Sequence, residues 1–312
     1  MKISVVICLP EVIPHFQEHL ESLIAQTRPP DELIFCNAGS THKTLEIAQS
    51  FAAKATLPVR FNPTGEPDLV ESAIKLCEGD LIIFSEQDNV WFPEKLLEIT
   101  DAFSESPESG LVLADAELVD ESSRPLGCSL WECIGFGPRE QKAFKDKKKL
   151  TGLLRHDAIA SATMVFRSTY KHLILPFRKN ISHTAWIALV ACAVGQISLI
   201  RTSLSNYRLH AEKQFGPEAI NGYGDNGLAE ELFLLRLVAE RLALNERSER
   251  VEEASELAGR IGHLVGRSNL PAERSKRIPY ILKELLTLRY HLYSYGFNSA
   301  LKDILVPPER NC

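Results

Sequence analysis

The chain has 312 residues, 45% of them hydrophobic, and a formal charge of −6 at neutral pH. That length holds one large α/β domain and an accessory piece, and an acidic balance without basic residues spread over a whole face excludes a nonspecific nucleic-acid binder. Seven cysteines, at Cys8, Cys36, Cys77, Cys128, Cys133, Cys192 and Cys312, show no zinc-finger spacing and read as free thiols in a reducing cytosol. The amino terminus enters a strand directly, with one lysine and no small-residue cleavage site, so no signal peptide is expected and the expected place is cytoplasmic, at the inner face of a membrane if one is involved.

Ile3 to Ile7 reads as a strand, His15 to Gln26 as an amphipathic helix, and Pro29-Pro30 as its stop. Glu32 to Cys36 then forms a second strand, ending in the turn Asn37-Ala38-Gly39-Ser40. This is a βαβ unit. Leu81-Ile82-Ile83-Phe84 shows no polar alternation, so it suits a strand covered on both faces. It runs into Glu86-Gln87-Asp88-Asn89 and stops at Trp91-Phe92-Pro93. In open α/β sheets ligands gather beyond the carboxyl ends of such strands. Carboxylates two residues apart at that place suit a hard divalent cation, Mn²⁺ or Mg²⁺, which completes its shell with water and phosphate oxygens. The competing reading is a surface turn with two solvated acids.

The basic run Lys142 to Lys149 is either a solvated loop or a segment that guides an anionic acceptor. Ile181 to Ile200 carries no Asp, Glu, Lys or Arg, yet Ser182, His183, Thr184, Gln196 and Ser198 make it a poor bilayer segment. Gly195 followed by Gln196 to Ile200 predicts helix, turn and strand instead. After a turn-rich stretch from Glu218 to Gly227, apolar residues recur at helical spacing through Leu232, Leu235 and Val238, then Leu257, Ile261 and Leu264, then Ile281, Leu285 and Leu288. They predict about three amphipathic helices that cover the first domain or form a homo-oligomer contact; a peripheral membrane face is the alternative, with Tyr290, Tyr293, Tyr295 and Phe297 as its aromatic belt. The expected division is 1–215 for the α/β domain and 216–312 for the helical extension.

Residues 1 to 215 carry six ordered blocks: the first strand, Pro29 to Thr41, Gly79 to Pro93, Asp115 to Asp120 with Arg124-Pro125-Leu126-Gly127, Ala160 to Arg167, and Tyr207-Arg208-Leu209-His210. Together they resemble the family 2 glycosyltransferases of the GT-A fold, a Rossmann-like α/β fold with a mainly parallel mixed sheet and flanking helices. The resemblance implies an inverting transfer from a nucleotide-diphospho-sugar donor to a glycan or lipid-linked acceptor of a surface polysaccharide. It implies that Asp88 ligates Mn²⁺ or Mg²⁺, with Glu86 reaching the metal, its bound water or the ribose. Leu9, Glu11, Asn37, Asn62, Gly65, Glu86 and Gln87 would contact the donor, and Trp91, Ser161, Ala162 and Trp186 would stand on the acceptor side.

Several positions differ from the family pattern. Leu9-Pro10-Glu11 replaces Thr-Tyr-Asn, Asn37-Ala38 replaces Asp-Asp, Asn89 replaces the last Asp of the metal motif, and Val70 replaces an Arg. Asn37 keeps an amide for a pyrimidine edge, whereas Ala38 offers none. Asn89, uncharged, is expected to matter little to the cation. Thr184 stands where the family places its catalytic Asp. A threonine is no general base near neutral pH, so His183, Asp115 or Asp157 would take the proton. The same substitutions support a second reading, a catalytically degenerate binding or scaffold module. A nucleotidyltransferase fits poorly, since Cys8-Leu9-Pro10-Glu11 lacks a glycine-rich phosphate loop.

Overall fold

The computed structural model describes residues 1–9, 14–37, 42–62, 68–138, 141–142, 163–177, 182–209, 227–243, 251–294 and 296–306. The chain divides into two compact units, residues 1–137 with 159–214, and 138–158 with 215–312.

The first unit is built on one mixed sheet. Its strands are β1 (Ile3–Leu9), β2 (Glu32–Asn37), β3 (Val59–Phe61), β4 (Leu81–Ser85), β5 (Ser109–Val119), β6 (Pro125–Ser129), β7 (Met164–Arg167) and β8 (Gln196–Arg208). They lie in the order β3-β2-β1-β4-β7-β5-β6, with β8 also on β5. β3, β2, β1 and β4 are mutually parallel. β7 runs antiparallel to both β4 and β5, so β5 points the same way as β4, and β8 is parallel to β5. The carboxyl ends of six strands therefore share one edge. Every residue of β4 is buried, as an unalternating apolar run requires of a central strand.

Helices α1 (Phe16–Ile24), α2 (His42–Lys54), α3 (Leu69–Leu76), α4 (Lys95–Glu105), the short α5 (Leu130–Cys133) and α6 (Lys171–Ile174), and α7 (His183–Val194) flank the sheet. Phe16, Leu20 and Leu23 of α1 and Leu96, Ile99 and Phe103 of α4 join Val5, Ile7, Leu33, Phe35 and Ile83 in one core. Each such side chain contributes ~1.5–3 kcal/mol on burial. The α7–Gly195–β8 sequence is the helix, turn and strand expected of residues 181–200, and no described helix is long and apolar enough to cross a membrane. Gly195 is required at the turn because a Cβ there would lie 2.4 Å from the Tyr170 hydroxyl.

At the opposite edge of the sheet, Glu32 Oε1 accepts the Ser4 hydroxyl at 2.5 Å and the Glu78 amide at 2.6 Å, while Oε2 pairs with Arg60 at 2.6 Å. This buried carboxylate fixes β1, β2 and the entry to β4 in register. A Cβ at Gly79, in that entry turn, would meet the Ser4 backbone nitrogen at 2.7 Å.

The second unit contains α8 (Gly227–Ala243), α9 (Val251–Ser268), α10 (Arg274–Leu286), α11 (Arg289–Tyr293) and α12 (Phe297–Leu305). The last predicted helix, through Ile281 and Leu285, is α10; α11 and α12 follow it, set off where Leu288 and Gly296 take φ of 58° and 60°. A buried polar cluster sits among them: Arg267 holds Asp303 through two bonds of 2.7 and 3.0 Å, the Tyr290 hydroxyl donates to Asp303 at 2.8 Å, and His263 bridges Glu284 (2.7 Å) and Ser294 (3.0 Å). Of the aromatic residues named for the alternative membrane face, Phe297 is exposed. Tyr290 is fully buried because its hydroxyl serves this cluster, and Tyr295 lies outside the described residues.

Candidate active site

Beyond the end of β4, residues Glu86 to Asn89 form a tight turn, with the Asn89 amide bonded to the Glu86 carbonyl at 3.3 Å. Five hydrogen bonds brace it and the strand end before it. His19 of α1 donates from Nδ1 to the Asn89 carbonyl (2.6 Å), while its Nε2 accepts the Ser85 hydroxyl (2.9 Å). Gln87 Nε2 donates to the Cys8 carbonyl at the end of β1 (2.5 Å). From β8, the Arg208 amide donates to Asn89 Oδ1 (3.0 Å) and its Nε donates to the Asp88 carbonyl (3.2 Å). Asn89 Nδ2 in turn donates to Glu86 Oε2 (3.2 Å). Asn89, expected to matter little to the cation, thus bonds both Glu86 and β8.

Buried cations lie behind these acids. The Arg208 guanidinium also donates to the carbonyls of Asp120 and Glu121, both at 3.1 Å, and its Nη2 has no partner among the described residues. Lys95, fully buried at the start of α4, lies 4.4 Å from the Trp91 ring centroid and donates to the Ser205 hydroxyl at 3.3 Å. Burial lowers its pKa to about 7 against the opposing pull of Glu86. Burial likewise lowers His19 to about 4, so the imidazole is neutral and its tautomer is set by the Asn89 carbonyl.

Asp115 accepts the amides of Ala116 (2.8 Å) and Trp131 (3.0 Å). Burial raises its pKa despite those bonds. In register, Leu111 and Val112 face Phe166 and Val165 of β7, which face Ile82 and Ile83 of β4. The same offset sets Asp115 one residue beyond the level of Ser85, the last residue of β4, two strands away.

His183 opens α7, with Thr184 beside it, and its Nε2 lies 2.9 Å from Asp68 Oδ2. Asp68 also caps α3, its Oδ1 accepting the Glu71 amide at 3.0 Å. Phe177 packs on the imidazole with ring centroids 4.3 Å apart.

Three sequence expectations change. Asn62 is buried and turned to α3, donating to the Leu69 carbonyl (3.0 Å) and accepting the Ser72 hydroxyl (2.6 Å), which leaves its carbonyl oxygen committed away from a donor. Trp91 and Trp186, expected on the acceptor side, are both in the core. Trp186 gives its indole N–H to the Ile174 carbonyl at 2.8 Å, and Trp91 packs under Lys95. Leu9 and Asn37 are paired strand ends at the candidate edge. Glu11, Ala38, Gly65, Asp157, Ser161 and Ala162 lie outside the described residues, as do residues 143–149 of the basic run.

The Glycosyl transferase family 2 profile matches residues 4–174, more than half of the chain. The chain belongs to that family. An uncharacterized glycosyltransferase of Nostoc sp. is 22% identical over 217 residues, 67% of this chain and 65% of that protein, so the match spans less than two thirds of its length. An uncharacterized glycosyltransferase of Rickettsia typhi is 22% identical over 315 residues, covering 97% of this chain and 94% of that one. The structure of S. aureus TarS 1-349 with UDP superposes with a TM-score of 0.54 at 18% identity, covering 98% of this chain and 80% of that one. Mannosyltransferase PcManGT from Pyrobaculum calidifontis gives 0.50 at 13% identity, covering 99% and 88%. The shared architecture is the GT-A fold.

Proposed function

We propose that this family 2 glycosyltransferase moves a sugar, with inversion, from a nucleotide-diphospho-sugar to a hydroxyl of a glycan or lipid-linked acceptor in the cytoplasm. The observation that carries the reading is the Glu86–Asn89 turn, two carboxylates held at the shared strand edge by His19 on one side and Arg208 on the other. Its structural neighbours support the donor class: TarS has been solved with UDP and with UDP-GlcNAc, and PcManGT with GDP-Man and Mn²⁺.

The donor set fits Mn²⁺ or Mg²⁺. Among the described residues no group of three or more His, Cys, Asp or Glu could hold a metal. Asp88 and Glu86 are hard oxygen donors, and these cations commonly take one or two protein carboxylates and leave the rest of the shell to water and phosphate oxygens. When bound, the cation would supply Lewis-acid neutralisation of the departing diphosphate, worth several kcal/mol.

The chain's own residues supply the proton transfer. Asp68 accepts Nε2–H of His183, which fixes the tautomer and leaves the Nδ1 lone pair as the base. The acceptor hydroxyl gives its proton to Nδ1 as its oxygen bonds to the anomeric carbon, and the bond from that carbon to the diphosphate oxygen breaks. A binding module remains the second reading, because Thr184 supplies no carboxylate at the first turn of α7.

Donor turnover by the parent, His183→Ala and Thr184→Asp over a panel of nucleotide-sugars tests this. His183→Ala should lower turnover roughly 10²-fold or more with donor affinity kept. Intact turnover in His183→Ala contradicts the assignment of the base. Donor binding without turnover in all three supports the binding module, and no donor binding at all removes the proposal.

A further inference from the structure

Eight of the fourteen large apolar side chains exposed among the described residues fall within residues 278–306, all in the second unit. Ile278, Leu282 and Leu286 recur one turn apart on α10, and Phe297, Leu301 and Leu305 do the same on α12. The two helices pack on each other through inner faces that include Ile281, Ala300 and Ile304, so these rows are surplus to the core. Leu286 is 84% exposed and Phe297 69%. An apolar row of this kind, one per helix on neighbouring helices, is far from the scattered single residues of an ordinary surface.

The charges around the rows have one sign. Between residues 273 and 306 the exposed Lys, Arg, Asp and Glu residues are Arg274, Lys276, Lys283, Arg289 and Lys302 against Glu273 alone, in a chain whose net charge is −6. The other two acids, Glu284 and Asp303, are buried and bonded to His263 and Arg267. Lys276 pairs with Glu273 at 2.6 Å and Arg289 with Glu284 at 3.4 Å, which leaves the rim basic.

We infer that the outer face of α10 and α12 docks on an anionic lipid surface, its leucines and Phe297 entering the acyl boundary while the basic rim meets the headgroups. Amphipathic helices with an apolar face and Lys/Arg flanks bind in this way, each basic residue near an anionic leaflet strengthening the binding. A second copy of the chain is the less suitable occupant, since a self-complementary contact would set basic rim against basic rim. This face uses no residue of the first unit, so docking and sugar transfer stand or fall separately.

Flotation of the full chain with vesicles of phosphatidylcholine alone, and of phosphatidylcholine with a minor share of phosphatidylglycerol, tests it. The parent should float with the anionic vesicles, less so as salt rises. Leu286→Ser/Phe297→Ser should lower the partition coefficient roughly tenfold or more, from two lost apolar insertions. Arg274→Glu/Lys283→Glu should weaken binding to the anionic vesicles. All four side chains are exposed, so circular dichroism and Tm should match the parent. Absence of flotation, equal binding to both vesicles, or binding indifferent to the variants overturns the inference. A parent dimer in sedimentation that Leu286→Ser/Phe297→Ser dissociates, without vesicle binding, assigns the face to self-association instead.

Discussion

His19 links the pH dependence of folding to the acidic turn. Its Nδ1 serves the Asn89 carbonyl and its Nε2 the Ser85 hydroxyl, inside a site that is fully buried. With the folded pKa at about 4 against an ordinary value of 6.5, the unfolded chain binds the extra proton first as pH falls. The stability tied to neutral His19 is therefore complete above pH 6.5 and is lost as pH falls through 4. A shift of this size corresponds to about 3 kcal/mol, with a slope of up to ~1.4 kcal/mol per pH unit inside the window. His19→Asn places an amide near the Nδ1 position and does not titrate. Urea unfolding of parent and variant from pH 7.5 down to 4, at steps of roughly half a unit, isolates this residue, because carboxylates common to both cancel in the difference. The difference should favour the parent most at neutral pH and shrink toward acid. A flat difference curve refutes the reasoning.

Lys95 acts in the same direction at higher pH: its charge is penalised in the folded state below pH 7, so stability should rise with pH between about 7 and the ordinary 10.5. Lys95→Met should be more stable than the parent at pH 6, by up to about 5 kcal/mol before the lost ring contact is counted, with the advantage fading by pH 10. Equal pH profiles in urea would contradict this. Asn89→Ala leaves the buried Arg208 amide without its acceptor and should cost ~1–3 kcal/mol, read as a lower urea midpoint at unchanged m-value. An unchanged midpoint would show that the bridge to β8 is dispensable.

The strands were legible because their sequence signals were local. Ile3 to Ile7, Leu33 to Cys36 and Leu81 to Phe84 are apolar runs closed by turns, and they became adjacent parallel strands with their carboxyl ends together. The braces of the site were not read, although three left a trace. His19 occupies a core position of α1 between Phe16 and Leu20, Lys95 falls one turn before Ile99 on the buried face of α4, and Asp68 stands three residues before Glu71 as a helix cap. Their partners, Asn89, Trp91 and His183, are 70, 4 and 115 residues away, and only the fold brings the distant ones together. Trp91 and Trp186 misled for a different reason. An aromatic beside a motif can line a site or fill the core; the indole bond to Ile174 decides for the core at Trp186, and burial under Lys95 decides at Trp91.

The most direct test of the account is calorimetric titration of the parent and Asp88→Asn with a nucleoside diphosphate, UDP and then GDP, in the presence and absence of Mn²⁺. Asp88→Asn keeps the shape of the turn and its carbonyl bond to Arg208 while removing the charge. Parent binding should require Mn²⁺ and be at least tenfold weaker in Asp88→Asn, since a lost carboxylate ligand is worth several kcal/mol. Equal Mn²⁺-dependent binding by the two proteins would contradict the account and move the cation away from the Glu86–Asn89 turn.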